Sequence, residues 1–407
     1  MARVLHRLLA ALVTGLLVWV NFAVHTAPRV GSNEELYMAR AQLRFLEGRL
    51  HAGLGDEMQK LFPEGSVFTH ALYGSAWCSY ALRRNTADSV RTHALREARW
   101  ALTQIERPDV QGRFPVACEP KFGAFYCGWR NSLLASIALL GGTQAEMIAL
   151  DRYSAELDSA FAKSTSPFIE SYSGMAWPAD NVVAVASLVM HQRLRPNTHR
   201  STIDRWLRQI GERYDERGMI PHAWDPVADR QQEHARGCSQ ALINVFLPMI
   251  DTTIARGQFD RFRRYFFMER LGVPLVREYP KGVTGRGDVD SGPVILGAGC
   301  AASIVGSGAC RMNGDVLHAQ EFDATVEGFG LALGDRRKRY LLGALPIADL
   351  FIVWGRCMPV HGNSGPLPGF LRFHLWSAAG LLLLWSTWWV GVVRRWYGAR
   401  RAQQDPQ

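Results

Sequence analysis

The sequence lacks the short motifs that mark nucleotide and nucleophile chemistry. No G-x-S-x-G, Walker or Rossmann fingerprint occurs in its 407 residues. The segment GRGDVDSG (285–292) is rich in glycine, but its spacing does not match a phosphate-binding loop and no strand is predicted before it. None of the seven cysteines belongs to a C-x-x-C pair. The sequence therefore predicts no nucleotide chemistry, no cofactor and no metal site.

A Lys/Arg stripe interleaved with aromatic residues, the usual mark of a nucleic-acid surface, is also missing from the middle of the chain. The formal net charge is +9, yet part of this excess lies beside apolar runs. The arginines in such positions are Arg3, Arg7, Arg394, Arg395, Arg400 and Arg401. We therefore expect no nucleic-acid partner and assign these arginines a role in membrane orientation.

What the chain does contain is an apolar run near each end. Residues 8–24 are apolar except for Thr14, Gly15 and Asn21, and a signal peptide or a short membrane anchor has this composition. A histidine at position 25 fits a signal-peptidase site badly, which favours an uncleaved anchor. Residues 376–393 form a stronger span, with two tryptophans near its end and two arginines after it.

The positive-inside rule places both basic termini in the cytoplasm and everything between the spans on the opposite side. The sequence therefore predicts three regions: a cytoplasmic stub with an anchor (1–32), an extracytoplasmic domain (33–369), and a transmembrane helix with a basic tail (370–407). The expected location is a bacterial inner membrane with a periplasmic main domain. The lipid bilayer is the expected partner, and a homo-oligomer is left open.

Cysteines can oxidise in such a compartment, and two pairs are close in sequence. Cys300 and Cys310 fall across one predicted helix, which keeps them too far apart to bond. Cys118 and Cys127 are separated by loop, so they are the better candidates for a disulfide.

The middle of the chain predicts helix after helix, because apolar residues recur every three or four positions and alternating β-branched runs are missing. Four long loops lead into nearly uncharged helices, which are expected to be buried on all sides. These helices are 128–140, 181–190, 238–250 and 293–305. Amphipathic, charge-rich helices lie between them, at 86–105, 143–162, 197–214 and 315–333. With 34–50, 66–82 and 339–354 the total is about twelve, which predicts an all-α (α/α)6 barrel of six hairpins, or else a less regular bundle.

In such a barrel the long loops meet at one end, where a ligand would bind. The loop 164–180 brings Glu170, Tyr172, Trp177 and Asp180 to this end. The aromatic residues suit stacking on a sugar ring or enclosing an apolar ligand, and core packing is the alternative. Asp180 is a candidate for acid–base catalysis, and capping of the helix that follows is the alternative.

Two further loops supply titratable groups. The loop 218–234 contains His222, Trp224 and Asp225, of which the histidine can carry a proton near neutral pH. The loop 282–292 contains Asp288 and Asp290 beside several glycines. Calcium binding would need more oxygen ligands than are evident. Asp290 also has a structural interpretation, as a cap for a helix beginning at position 293.

Several segments resemble bacterial linalool dehydratase-isomerase. They are FYCGWRNSLLASIALLGG (125–142), SGMAWPADN (173–181), DERGMIPHAWDP (215–226) and GDVDSG (287–292), in the same order as in that family. The resemblance implies an (α/α)6 barrel, an extracytoplasmic setting and a cofactor-free acid–base reaction. Trp129 stands where the family's catalytic histidine would fall, and the cysteine pair after Asp180 is missing. Tyr126 and Trp129 are accordingly assigned to substrate binding.

Three functions follow from these patterns. The first is a glycoside hydrolase or lyase of the six-hairpin type that acts on a cell-envelope glycan, with Asp180 and Asp288 or Asp290 as acid and base. Trp177, Tyr172 and Trp224 would line its subsites. The second is a lyase-isomerase for a small apolar alcohol, with Asp180, Tyr172 and His222 as proton carriers. The third is a non-catalytic envelope assembly factor. An open acidic groove would indicate the first function, a closed apolar cavity the second, and the lack of a deep pocket the third.

Overall fold

The computed structural model describes residues 2–83, 86–289, 291–360, 362 and 367–386. The chain is mostly helical, as predicted. The helices are α1 (Ala2–Ala23), α2 (Asn33–His51), α3 (Leu54–Leu61), α4 (Gly65–Ala81), α5 (Asp88–Ile105), α6 (Pro108–Gln111), α7 (Gly123–Gly141), α8 (Gln144–Lys163), α9 (Pro178–Leu194), α10 (Arg200–Gly211), α11 (Gly237–Ile250), α12 (Thr252–Phe266), α13 (Cys300–Met312), α14 (Val316–Phe329), α15 (Pro346–Cys357) and α16 (371–386). A single 3-10 turn covers Leu341–Gly343.

Six of these helices contact one another in a closed ring. The order around the ring is α4, α7, α9, α11, α13 and α15, and α15 returns to α4. Helices α4 and α11 contain no Asp, Glu, Lys or Arg, since a helix in this position has neighbours on several sides. The other layer contains α2, α5, α8, α12 and α14, each of which contacts a ring helix, and α10, which contacts α8.

The last ring helix is paired with the first helix of the domain rather than with a neighbour in sequence. Helices α4 and α5, α7 and α8, α11 and α12, and α13 and α14 are consecutive pairs in contact. Helix α15 instead contacts α2, which lies about 300 residues earlier. The ring is therefore closed by the two ends of the domain.

The strands of the described residues form three short antiparallel hairpins, which the sequence patterns did not predict. They are β1 (Ala223–Asp225) with β2 (Arg230–Glu233), β3 (Phe267–Arg270) with β4 (Val273–Val276), and β5 (Val294–Ile295) with β6 (Ala298–Gly299). The last hairpin replaces the start of the helix expected at 293–305. Its turn residues, Leu296 and Gly297, both have positive φ, as a tight hairpin turn requires. Helix α13 therefore begins at Cys300 and not at position 293.

A buried ion pair network connects α2 to the ring. The guanidinium of Arg311 on α13 contacts Glu35 on α2 at 2.5 Å and also contacts Asp323 on α14. The side chains of Arg311 and Glu35 are 0% exposed. Since an isolated buried charge is strongly unfavourable, the three side chains stabilise one another only when all three helices are in place.

A second network lies beside the first. Glu327 on α14 accepts hydrogen bonds from Arg356 on α15 at 2.7 Å, from Lys338 at 2.8 Å and from the Tyr340 hydroxyl at 2.6 Å. All of these side chains are buried. The network holds the segment between α14 and α15 against the ring.

Aromatic side chains fill the interior of the ring. The centre of the Trp129 side-chain ring on α7 lies 5.2 Å from the centre of the Phe68 side-chain ring on α4. The corresponding distances are 5.7 Å to Phe246 on α11 and 6.0 Å to Trp354 on α15. Trp129 is 1% exposed. The centre of the ring at this level is therefore packed protein.

Helix α1 is the one described helix that is long and apolar enough to cross a membrane, over Val4–Ala23. Membrane spans and signal sequences both have this character. The second predicted span, 376–393, extends beyond the described residues, of which α16 includes only its first part.

Helices α1 and α16 run antiparallel along each other. Asn21 donates to Ser377 at 3.0 Å, and Trp385 donates to Thr14 at 3.0 Å. The base of α1 also packs on the domain, since Val24 lies buried in a cluster with Ala324 of α14.

The cysteines are not joined in disulfides. Cys300 and Cys310 lie on α13, as the sequence predicted. The Cys127 thiol donates to the Lys121 carbonyl at 3.2 Å, and the Cys118 sulfur lies 3.8 Å from the Ser173 hydroxyl. Cys118 and Cys127 are therefore not joined by a disulfide, and that prediction was wrong.

Asp349 on α15 gives the ring a testable pH dependence. Its Oδ1 accepts from Gln42 at 2.9 Å and from the Tyr340 backbone N–H at 3.0 Å, but burial dominates and raises the pKa of Asp349 to about 7. Because the folded pKa exceeds the unfolded one, the stability from this group is present at low pH and is lost as pH rises through about 7.

We therefore expect the wild type to lose on the order of 2 kcal/mol of unfolding free energy between pH 5 and pH 8 relative to Asp349→Asn. Denaturant unfolding of the detergent-solubilised protein at the two pH values measures this difference. Asp204→Asn, on the exposed face of α10, is the control and should follow the wild type. Parallel profiles for wild type and Asp349→Asn would contradict the expected effect.

Candidate functional site

Backbone hydrogen bonds connect the loops that precede the ring helices α7, α9, α11 and α13. The bonds are Ala124 N–H to the Glu170 carbonyl at 2.8 Å, Ala176 N–H to the Trp224 carbonyl at 3.0 Å, and Gly237 N–H to the Glu278 carbonyl at 2.7 Å. Each contact joins one loop to the next around the N-terminal ends of the ring helices. The loops that the sequence singled out are therefore neighbours at one end.

Arg236, the residue before α11, is the centre of a charged cluster at this end. Its Nε donates to Glu278 Oε1 at 2.9 Å, and its Nη1 donates to Asp288 Oδ2 at 2.5 Å. The same Nη1 lies 3.4 Å from Nε2 of His222. We call Arg236, Glu278, Asp288 and His222 the Arg236 cluster.

The two carboxyl groups of the Arg236 cluster differ in burial. The Glu278 side chain is 0% exposed, whereas that of Asp288 is 44% exposed. Burial raises the pKa of Glu278, and this effect outweighs the hydrogen bonds from Cys238 and Arg236. Burial acts in the same direction on Asp288, but hydrogen bonds from Arg236 and from the Ser291 backbone hold its pKa well below the usual range. One carboxyl group is thus inclined to keep its proton and the other to lose it.

His222 is buried in the same cluster and remains neutral. Its side chain is 4% exposed, and its Nδ1 shares a hydrogen bond with the Ser239 hydroxyl. Burial, with the nearby positive charge of Arg236, lowers the pKa of His222 to about 3. The imidazole therefore acts as a neutral hydrogen-bonding group here.

One oxygen of Glu278 has no hydrogen-bond partner among the described residues. Oε1 accepts from Arg236 and from the Cys238 thiol at 3.1 Å, whereas Oε2 is buried without a partner. A Cβ on Gly299 would lie 2.7 Å from Oε2, so a larger residue there would displace the carboxyl group.

A guanidinium between two carboxylates occupies the position that a cation would take. The Arg236 cluster is therefore poorly suited to holding a metal ion.

Partly exposed aromatic side chains lie on the loop before α9. The Tyr172 ring lies 5.6 Å from that of Trp177, edge to face, and 6.0 Å from that of Phe114. The Tyr172 hydroxyl also contacts Glu64, the residue before α4. Trp224 is 5% exposed, and its indole N–H donates to Asp229 at 3.1 Å.

Several other predicted site residues have structural partners. Trp129 and Tyr126 are buried on α7, and the Tyr126 hydroxyl donates to the Ile105 carbonyl at 3.3 Å. Asp225 accepts from two backbone N–H groups of the turn after β1. Glu170 accepts from the Gly174 N–H at 2.6 Å.

Asp180 is the third residue of α9 and is 8% exposed. The N-cap of that helix is Trp177, so the capping interpretation of Asp180 was wrong in position. A carboxylate in the first turn still interacts favourably with the helix dipole. Asp290, the remaining predicted residue, lies outside the described residues.

The sequence patterns missed Arg236 and Glu278. Arg236 follows the loop 218–234 and precedes an uncharged helix, and Glu278 lies inside the loop 272–291. The available signal in the sequence was a single charged residue, Arg236, immediately before the buried and uncharged helix α11. The pairing itself joins residues 42 positions apart and depends on the contact between the start of α11 and the segment after β4.

Two cavities, both lined by residues that the structure describes, lie away from the Arg236 cluster. The first, of about 470 Å³, lies beside α8 and α9 and is lined by Asp151, Asp158, His191 and His199. The His191 and His199 ring nitrogens are 2.8 Å apart, and His191 also contacts Asp151 at 2.7 Å. The second, of about 690 Å³, lies between α8 and the segment 111–130.

No protein-family model matches the sequence, and no curated protein matches it. Among solved structures, the chain is similar to a crystal structure of D-mannose isomerase, with a TM-score of 0.45 and 8% sequence identity. The match covers 70% of this chain and 86% of that one.

The pairing in the Arg236 cluster is testable by a double-mutant cycle. Arg236→Met removes the partner of a buried carboxyl group and of Asp288, so we expect it to lower the unfolding free energy by about 3 kcal/mol. Adding Glu278→Gln should recover about 1 kcal/mol or more, because the buried group can then no longer become an unpaired charge.

Denaturant unfolding of the four proteins of the cycle measures the coupling. Arg200→Met, a guanidinium that is 72% exposed, is the matched control and should change stability by less than about 1 kcal/mol. Additivity of the two substitutions within about 0.5 kcal/mol would show that the pair is not coupled.

Proposed function

We propose that this protein is a membrane-tethered, carbohydrate-active enzyme, a hydrolase or lyase that acts on a cell-envelope glycan through carboxylate acid–base catalysis. The observation that carries the proposal is Asp288. This carboxylate is partly exposed and ionised, and a buried guanidinium fixes its position, so it can take part in proton transfer with a substrate at the surface. The described ring of helix pairs also supports an (α/α)6 barrel of the six-hairpin type.

In this proposal Asp288 accepts the proton, and Arg236 holds it in place. Glu278 is a positioning residue, because its buried carboxyl group accepts the Arg236 Nε–H and holds the guanidinium in place beside Asp288. Asp180, at the start of the neighbouring ring helix, is the candidate for the acid. Perturbed carboxyl groups beside exposed loops are typical of enzyme sites.

The aromatic side chains favour a sugar as the substrate. Tyr172 and Trp177 are partly exposed at the same end of the ring, and such faces pack on the apolar side of a sugar ring. Asp288 and Glu233, with side chains 44% and 55% exposed, supply acceptors for hydroxyl groups.

The two terminal helices support the membrane topology. If α1 and α16 both cross a bilayer, their antiparallel arrangement puts the start of α1 and the end of α16 on the same side. The arginines in the sequence near both ends favour the cytoplasm for that side, which supports a periplasmic domain. Packing of Val24 against α14 favours an anchor that is retained rather than cleaved.

A second candidate function is a non-catalytic envelope assembly factor. The aromatic packing around Trp129 supports it, because a filled ring leaves no deep pocket at that level. The same packing occupies the position where a small apolar alcohol would lie in the lyase-isomerase alternative.

Substitution at the two carboxyl groups tests the enzyme proposal. The full-length protein in detergent is incubated with alginate, a uronic-acid polysaccharide, and with a neutral β-glucan. Reducing ends report hydrolysis, and absorbance of unsaturated ends reports elimination. We expect Asp288→Asn to lower kcat by about 10²–10⁴-fold, because an amide cannot accept the proton.

Glu278→Gln should retain most of the activity, since the amide oxygen can still accept the hydrogen bond from Arg236 Nε. Asp204→Asn is the exposed control. Full activity of Asp288→Asn would remove this residue from the mechanism. Lack of turnover on both polysaccharides by folded wild-type protein would favour the assembly factor.

Reporter fusions test the topology. A phosphatase that is active only outside the cytoplasm should be active when fused after Gly31, and a fluorescent protein that matures in the cytoplasm should fluoresce when fused at Gln407. Both results follow if the domain lies between two spans. Phosphatase activity at Gln407 would refute the shared side for the two termini.

A further inference from the structure

Two pairs of glutamate and histidine face each other across α2 and α5. Glu47 and His51 are four residues apart on α2, and His93 and Glu97 are four residues apart on α5. Residues at this spacing share one face of a helix. Glu47 pairs with His93, and His51 pairs with Glu97, both across 46 positions, so the two helices run parallel here.

The ligand atoms of this group are close together. His93 Nε2 lies 3.1 Å from Glu47 Oε2, and His51 Nε2 lies 2.8 Å from Glu97 Oε2. The ligand atoms of Glu47, His93 and Glu97 all lie within 4.8 Å of one another. Imidazole and carboxylate ligands bind first-row metal ions at about 2.0–2.2 Å, so neighbouring ligand atoms around one ion are about 3 Å apart. The separations of up to 4.8 Å exceed that spacing, so an ion would draw the three side chains closer together.

The surroundings orient the ligand side chains. The Tyr73 hydroxyl donates to Glu97 Oε2 at 3.0 Å, the kind of outer hydrogen bond that metal-binding carboxylates receive. The Trp77 ring lies 4.8 Å from that of His93, and the Trp100 ring stacks on that of His51 at 3.9 Å.

The group is closed on one side and open on the other. The Glu97 side chain is 4% exposed, whereas those of Glu47 and His93 are each 29% exposed. An ion can therefore enter from solvent and keep water as a further ligand.

Arg96 competes for the same ligands. Its Nη2 donates to His93 Nδ1 at 2.5 Å, and its Nε lies 3.3 Å from Glu97 Oε1. This contact requires an unprotonated Nδ1, so Nε2 carries the proton that faces Glu47. An ion at Nε2 would move that proton to Nδ1 and displace Arg96, which is 64% exposed and free to turn into solvent.

We propose that Glu47, His93 and Glu97 form a binding site for a divalent first-row transition-metal ion, Zn²⁺ or Mn²⁺, with His51 beside it. One imidazole and two carboxylates suit these ions, whereas Mg²⁺ and Ca²⁺ prefer sites made of oxygen alone. The expectation of no metal site was based on cysteine spacing and passed over the Glu-x-x-x-His and His-x-x-x-Glu pairs. The ion would connect α2, which closes the ring, to α5.

Metal binding to the full-length protein tests the site. The protein is purified in detergent, stripped with a chelator and titrated with ZnCl2 or MnCl2, with MgCl2 as the comparison. We expect one tight ion per chain, a higher Tm with Zn²⁺ or Mn²⁺, and no change with Mg²⁺ at the same concentration. A wild type without a tight ion and without a Tm shift would overturn the proposal.

Two ligand variants and two controls localise the binding. His93→Ala and Glu47→Gln should each weaken affinity by about tenfold or more and reduce the metal-dependent Tm shift. Arg96→Ala should bind the ion at least as tightly as the wild type, because it removes the competitor. His318→Ala, a histidine paired with Asp315 on α14, should bind like the wild type.

The difference in Tm with and without metal separates loss of the site from loss of fold, since a structural defect lowers both values equally. Unchanged metal shifts in Glu47→Gln and His93→Ala would refute the site. Equal loss in His318→Ala would assign the binding to surface histidines and would also refute it.

Discussion

The buried ionic contacts of Arg311 and Arg356 are the constraint on which the closed ring depends. Each guanidinium is fully buried and is balanced by carboxylates from other helices: Glu35 and Asp323 for the first, Glu327 for the second. Removing one partner would leave an uncompensated charge in the core. A displaced α2, α14 or α15 is therefore penalised more strongly than loss of apolar contact alone would imply, and the helix order around the ring gains specificity.

The Arg236 cluster also pairs a buried guanidinium with carboxyl groups, but it lies at the edge of the domain instead of its centre. There the guanidinium is buried but one of its carboxylates, Asp288, reaches solvent. The Asp288 carboxylate is held by Arg236 on one side and exposed to solvent on the other, so it is available for chemistry without reorganisation of its surroundings. Glu278, fully buried on the other edge of Arg236, accepts the Arg236 Nε–H and so helps to hold the guanidinium in place beside Asp288.

Helices were predictable because their burial leaves a repeat in the sequence, as in the uncharged run of α11 and the amphipathic run of α5. Helix α12 was not placed, although Phe259, Phe262 and Phe266 mark its buried face. The short hairpins escaped because two-residue strands such as β5 leave no period to detect. Site loops were recognisable by composition. The pairing of Arg236 with Glu278 was not, because it is created by the packing of distant segments.

Ring closure by α2 and α15 also sets an order of events during synthesis. The contact between Arg311 and Glu35 spans 276 positions, and that between Gln42 and Asp349 spans 307. At roughly 5–20 residues per second, α2 precedes its partner by roughly 15–60 s. During that interval the polar groups of α2 that later become buried remain in water, and the ring is open between α4 and α13. The native closure is consequently a late, long-range step, and the nascent chain passes through an incomplete ring each time it is made.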